Sequence, residues 1–196
     1  MALNFDSRIS AFEQLGLWLE HFLKDVENNR FTDDFNSEFQ AIIERQSREN
    51  GWFTQYNIYS SLAAIRDNLQ AESLNNLRFV YGNRIATSWQ EKIVAVVTGA
   101  FFPLVSFYDF MVVLLTGNVL QIKLHADDKL LLPKIAQKLM EIEPDFSEKI
   151  QFVDQLHDFE RVIITEENGH SEVLCQYFSK YPMFVHRRQR AAAILT

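Results

Sequence analysis

Few residues in this chain have a type and spacing that could do chemistry, and the clearest of them stand where apolar runs end. Thr98-Gly99 follows the run IVAVV, and Lys123 closes VLQIK just ahead of the polar turn Ala126-Asp127-Asp128. Thr165 closes RVIIT. If these runs are strands of one parallel sheet, all three places share its carboxyl edge, where such sheets bind their ligands. The basic group His186-Arg187-Arg188-Arg190 suits either a phosphate or a solvated loop. Other chemistries lack their residues. The five His are scattered, with no HxxxH or HExxH spacing, so no metal site is expected. The single Cys175 excludes an internal disulfide and a CxxC zinc pattern. Within the helical pattern SEVLCQYF it reads as a partly buried structural thiol. No GxGxxG, GxxxxGK[ST] or GxSxG motif is present.

The elements that must position these residues begin at Ile93. A β-branched strand, Ile93 to Thr98, leads into an apolar segment of helical length that stops at Gly117-Asn118, with Pro103 in the first turn of its helix. A second strand follows from Val119 to Leu124. The Asp pair then opens a helix from about Asp128 to Glu141, whose regular part Pro133 delays by a turn and which Pro144 closes. Further strands are expected at Lys149 to Val153, Arg161 to Thr165 and Met183 to His186, and in the closing AAAILT. Glu166 to Gly169 reads as a turn, and His170 to Lys180 as a helix with Val173, Leu174, Tyr177 and Phe178 inward. Strands apolar throughout, alternating with helices, imply an α/β fold with a mostly parallel sheet covered on both faces.

Residues 1–92 read as helical, the rest as the α/β region, and the change of pattern near Glu91 is the one boundary. Asp6 or Ser7 caps a first helix carrying Ile9, Phe12, Trp18, Leu19, Phe22 and Val26, which Asn28-Asn29 ends. Thr32 caps a second, with Phe35, Phe39, Ile42 and Ile43 on one face and Asn50-Gly51 as its stop. Thr54 starts a third. A short fourth, Glu72 to Tyr81, stops at Gly82-Asn83. Each has one apolar stripe and needs something to pack on. The aromatic group Trp52, Phe53, Tyr56 and Tyr59 suits either core packing or the lining of an apolar substrate path.

With 196 residues, 47% of them hydrophobic and 23% charged, the composition is that of a globular protein. A net charge of −7 disfavours nucleic acid as a partner. The start MALNFDSRIS has no signal-peptide core. The apolar segment from Ala100 to Leu115 contains Pro103 and Asp109 and falls short of the ~20 residues a membrane span needs. A buried helix in a cytoplasmic protein is expected instead. An apolar terminal strand without a covering helix points to the front part of a longer protein, or to self-association as a homo-oligomer if the chain ends there.

Taken in order, VVTGAFFPLVSFYDFMVVLLTGNVLQIKLHADDKLLLPKIAQKLMEIEP resembles the cofactor-binding region of the aldehyde dehydrogenase superfamily. There, a strand, a Pro-Leu-containing turn, a helix ending in Gly-Asn and a strand ending in Lys follow one another. Within the superfamily, the pattern is most similar to the acyl-CoA reductases that make fatty aldehydes for bioluminescence. The similarity extends to RISAFEQLG and NGWFT before this region and to FSKYP and residues 190–196 after it.

This resemblance implies a Rossmann-like cofactor domain, possibly incomplete, with N-terminal helices packed on it. It implies NADP or NAD as cofactor, acyl-CoA as substrate, and a reaction in which a cysteine thiolate takes the acyl group and hydride from the nicotinamide releases an aldehyde. The cofactor contacts it implies are Thr98, Pro103, Leu104, Lys123, Asp127 and Thr165. Lys123 matches a Lys that reaches the adenosine ribose, although it can equally be a solvated strand end. Asp127 or Asp128 can accept from a ribose hydroxyl or cap the next helix. Three departures bear on catalysis. Phe101 replaces an oxyanion-hole Asn whose loss costs about 10²–10³ in rate. Glu166-Glu167 replace the Gly-Ser that admits the cofactor. The family's nucleophilic Cys belongs to a later domain, and Cys175 is not its counterpart. The alternative is a non-catalytic α/β binding or interaction module of the same descent.

Overall fold

The computed structural model describes residues 3–31, 33–87, 90–165 and 171–186. Four helices come first: α1 (Phe5–Glu27), α2 (Asp34–Glu49), α3 (Gln55–Asn68) and α4 (Ala71–Thr87). The α/β part follows as β1 (Ile93–Val97), α5 (Phe107–Leu115), β2 (Val119–Lys123), α6 (Leu131–Ile142), β3 (Ile150–Phe152), β4 (Arg161–Thr165), α7 (Ser171–Tyr177) and β5 (Met183–His186). The five strands form one parallel sheet in the order β3-β2-β1-β4-β5. The chain therefore starts in the middle, builds outward through β2 to β3, and crosses back over to β4 on the other side of β1. This is a Rossmann-like α/β fold.

Two cores form because the middle strands bury side chains on both faces. Val94, Val96, Leu120, Ile122 and Ile150 pack against α5, α6 and α1. Ala95, Val162 and Ile164 pack on the opposite face with Phe159 and with Phe178, just beyond α7. α1 is the hinge between layers, touching α3 and α4 on one side and α5 and α6 on the other. The N-terminal helices and the sheet thus share one apolar cluster. The link from β3 to β4, residues 153–160, contains no helix, and among the described residues none covers the first face of β4 and β5 beside α5, where Phe184 and Val112 are exposed.

Close approach fixes the seat of α1 on α3. A Cβ placed on Gly16 would lie 2.8 Å from Leu69 Cβ and 3.0 Å from the Leu69 carbonyl oxygen. Gly16→Ala is therefore expected to lower stability by about 1–3 kcal/mol. That outweighs the gain of about 1 kcal/mol that Ala brings to a helix interior. A urea titration of the variant checks this, and an unchanged or raised midpoint would contradict the packing.

Several boundaries differ from expectation, each for a physical reason. Asn4, not Asp6 or Ser7, caps α1, its side-chain oxygen accepting from the Ser7 N–H at 2.8 Å. Asp33 caps α2, and Thr32 lies outside the described residues. α4 runs through Gly82-Asn83 to Thr87, since Gly82 sits against the Phe5 ring and packing offsets the modest helix penalty of glycine. α5 starts at Phe107, because Leu104 has a φ of 60° and breaks any helix across Pro103. α6 starts at Leu131, after a separate 3-10 turn at Ala126–Asp128, and neither Asp of the pair caps it. β3 is shorter than expected. Of the residues expected inward on α7, Val173 and Tyr177 are exposed, while Phe178 is buried. Trp52 and Tyr56 are exposed, Phe53 is core, and Tyr59 is half-buried with its hydroxyl donating to Gln40. The expected turn at 166–169, His170 and the terminal strand AAAILT fall outside the described residues.

The stop of α5 matches its sequence signal. Gly117 has a φ of 79°, its N–H donates to the Leu114 carbonyl, and the Asn118 N–H donates to the Val113 carbonyl. Arg8 reaches across from α1 and donates from Nε to the Leu115 carbonyl at 2.9 Å. Burial lowers the Arg8 pKa from its ordinary value.

Candidate functional site at the carboxyl edge of the sheet

All five strands point the same way, so Thr98, Lys123, Thr165 and His186 come to one edge. Strand order reverses between β1 and β4, the place where such sheets hold a ligand in the crevice beyond their carboxyl ends.

On the β1–β2 side, the parts are tied to one another. Thr98 is buried at the end of β1, where its N–H donates to the Lys123 carbonyl. Its Oγ1 accepts from the His125 N–H at 2.8 Å. His125 Nδ1 in turn accepts from the Asp127 N–H at 3.2 Å, which opens the 3-10 turn. Gln46 on α2 donates to the Asp127 carbonyl at 2.8 Å and anchors the turn to the helical layer. Lys123 and the Asp127 carboxylate are exposed.

Asp128 is turned inward. Its Oδ2 accepts from the Leu104 N–H at 3.0 Å, which fixes the β1–α5 loop in its left-handed turn. Its Oδ1 is buried without a hydrogen-bond partner, as is the Ser106 hydroxyl. Burial raises the Asp128 pKa to about 7, and the bond from Leu104 offsets part of that rise. Asp128 is therefore a carboxylic acid that changes charge near neutrality, beneath the loop that borders the crevice.

On the β4–β5 side, Asp109 is the focus. It stands in the first turn of α5, where the helix dipole favours a negative charge. It is buried, and its two oxygens take different partners. Thr165 donates from its hydroxyl to Oδ2 at 3.1 Å, and His186 Nε2 lies 2.7 Å from Oδ1. Thr165 and His186 are register neighbours at the ends of β4 and β5, so one carboxylate ties both strand ends to α5.

The six residues expected at the cofactor all belong to this edge or its loops. Thr98 and Thr165 are buried and already engaged, Lys123 and Asp127 are open, and Pro103 and Leu104 form the buried turn. Asp109, Asp128 and His186 were not among them in these roles. A lone acid inside the apolar segment from Ala100 to Leu115 was the available signal for Asp109. His186 was grouped with the arginines after it, whereas the fold turns its ring back to Asp109. Among the described residues no group of three His, Cys, Asp or Glu side chains could hold a metal. No helix there is long and apolar enough to cross a membrane. Compared with protein-family models, the chain matches none, and no curated protein matches it either.

Proposed function

We propose that this chain binds a nicotinamide dinucleotide, NADP or NAD, across the crevice between β1 and β4, as the cofactor-binding part of an acyl-CoA reductase related to the aldehyde dehydrogenases. The observation that carries the reading is the strand order β3-β2-β1-β4-β5, with Thr98, the Leu104 turn and Thr165 at the point where it reverses. An exposed ammonium and an exposed carboxylate, Lys123 and Asp127, stand four residues apart at the end of β2. These are the groups that suit a phosphate or ribose hydroxyl, so the chemistry of the edge fits a dinucleotide.

In this reading Lys123 holds the adenosine side of the cofactor and Asp127 accepts from a ribose hydroxyl. Thr98 and Asp128 hold the β1–α5 loop in shape through His125 and Leu104. Pro103 and Leu104 keep that loop low enough for the ligand to lie over it. The nicotinamide, when bound, supplies the hydride that turns a thioester into an aldehyde. The thioester-forming nucleophile is not Cys175, which is half-buried on α7. The Phe101 side chain, which cannot donate a hydrogen bond, favours a second reading in which the chain binds its ligand without catalysis.

Calorimetry with NADPH and NADH on the purified chain tests the binding. The expected result is a dissociation constant below about 1 mM, equivalent to about −4 kcal/mol, for at least one of them. Lys123→Ala is expected to weaken it about tenfold, or about 1.4 kcal/mol. No heat at millimolar ligand would overturn the reading.

A further inference from the structure

We propose that His186 is an acid–base group, oriented by Asp109, that lets this chain hydrolyse acyl thioesters slowly with water and no nicotinamide. The substrate class rests on the acyl-CoA reading above. The proton chemistry rests on the side chains themselves.

An imidazole becomes a competent base when one nitrogen is fixed by an acceptor and the other is free to meet a proton. His186 meets that description. Nε2 lies 2.7 Å from the Asp109 carboxylate, and in the neutral ring with its N–H on that nitrogen Nδ1 carries the lone pair. The carboxylate is held from its other side by the Thr165 hydroxyl and belongs to the first turn of a helix. Its side chain is only 10% exposed, whereas that of His186 is 47% exposed. The orienting partner is thus buried and the working ring is open. The Phe184 ring packs edge-on at 4.8 Å and limits the tilt of the imidazole. The pair sits at the carboxyl ends of β4 and β5, the edge that also carries Thr98 and Lys123.

The step balances without any redox partner. Nδ1 takes a proton from water as the water oxygen bonds to the acyl carbon. The tetrahedral intermediate collapses with cleavage of the C–S bond. The imidazolium returns its proton to the departing thiolate, leaving a carboxylic acid and free CoA thiol. Asp109 acts through His186 and is a positioning residue.

The alternative is a staple that merely ties β5 to α5, and one variant separates the two. In His186→Gln the side-chain amide still donates to Asp109 but cannot accept and return a proton. Hexanoyl-CoA is incubated with the full chain, and released thiol is followed by its colour reaction. The parent is expected to release thiol faster than buffer. His186→Gln is expected to lose about 10²-fold or more of that excess, down to background, with an unchanged melting midpoint. In His186→Ala, added free imidazole is expected to restore part of the rate. Asp109→Asn should be at least about tenfold slower than the parent, because the orienting acceptor is altered. Cys175→Ser should match the parent. The inference is overturned if His186→Gln is as active as the parent, if imidazole restores nothing, or if the parent is no faster than buffer. Dinucleotide binding without thioester hydrolysis overturns this inference and leaves the dinucleotide reading intact. Hydrolysis that depends on His186, without dinucleotide binding, supports this inference and removes the other.

Discussion

Replacing Asp128 by Asn is expected to remove a fall in stability that the parent chain undergoes between about pH 4 and pH 7. The sign follows from the proton held on folding. Burial raises the Asp128 pKa from its ordinary 3.8 to about 7. Between those values the folded chain keeps a proton that the unfolded chain has released. Stability is therefore full below about pH 4 and declines as pH rises through about 7, by about 4 kcal/mol in all. Asn keeps the shape and an oxygen acceptor for the Leu104 N–H, and it has no charge to desolvate at any pH. Its amide nitrogen takes the place of an oxygen that lacks a partner, at a cost of about 1–3 kcal/mol. The net gain at pH 8 is then about 1–3 kcal/mol, while at pH 4 the variant is the less stable of the two. Urea unfolding at several pH values gives both curves. Parallel curves would show that Asp128 does not hold its proton in the fold. The same titration bears on the site, since Asp128 anchors the loop on which Leu104 stands.

Phe12→Ala is expected to be the most damaging single truncation in the helical layer. The ring is 0% exposed at the meeting point of α1 with the α/β part. It packs edge-on against Phe110 of α5 at 6.3 Å and against Phe146, before β3, at 5.9 Å. Emptying that place costs about 3–5 kcal/mol, a large share of the 5–15 kcal/mol typical of a whole domain. Trp52→Ala serves as the contrast. Trp52 is 81% exposed, and its removal is expected to change stability by less than about 0.5 kcal/mol. Denaturant midpoints for the pair check both values. Equal effects would mean that the helices and the sheet do not share the core.

The strands were legible because their signal is local. IVAVV, VLQIK and RVIIT are short, β-branched and bounded by polar residues, and β1, β2 and β4 fall on them. Gly117-Asn118 was legible for the same reason, since only a left-handed residue ends that helix cheaply. The start of α5 was not. Pro103 is a good first-turn residue in isolation, and what displaces the start is a bond from Leu104 to Asp128, 24 residues away. Gly82 misled in the opposite direction, because the Phe5 ring against it is invisible to a local reading. The carboxyl edge as the place to search followed from parallel strands alone. Its electrostatics did not. The link from Asp109 to His186 spans 77 residues and depends on β5 lying beside β4 rather than beside β3.

Whether a dinucleotide lies across the β1–β4 crevice is tested most directly by following the backbone amides of the isotope-labelled chain by NMR as NADPH is added. The expected result is saturable movement of the amides of Thr98, Leu104, Lys123, Asp127 and Thr165, with those of Thr116 and Asn118 at the opposite edge unmoved. A spectrum unchanged at millimolar NADPH, or movement confined to Thr116 and Asn118, would contradict it.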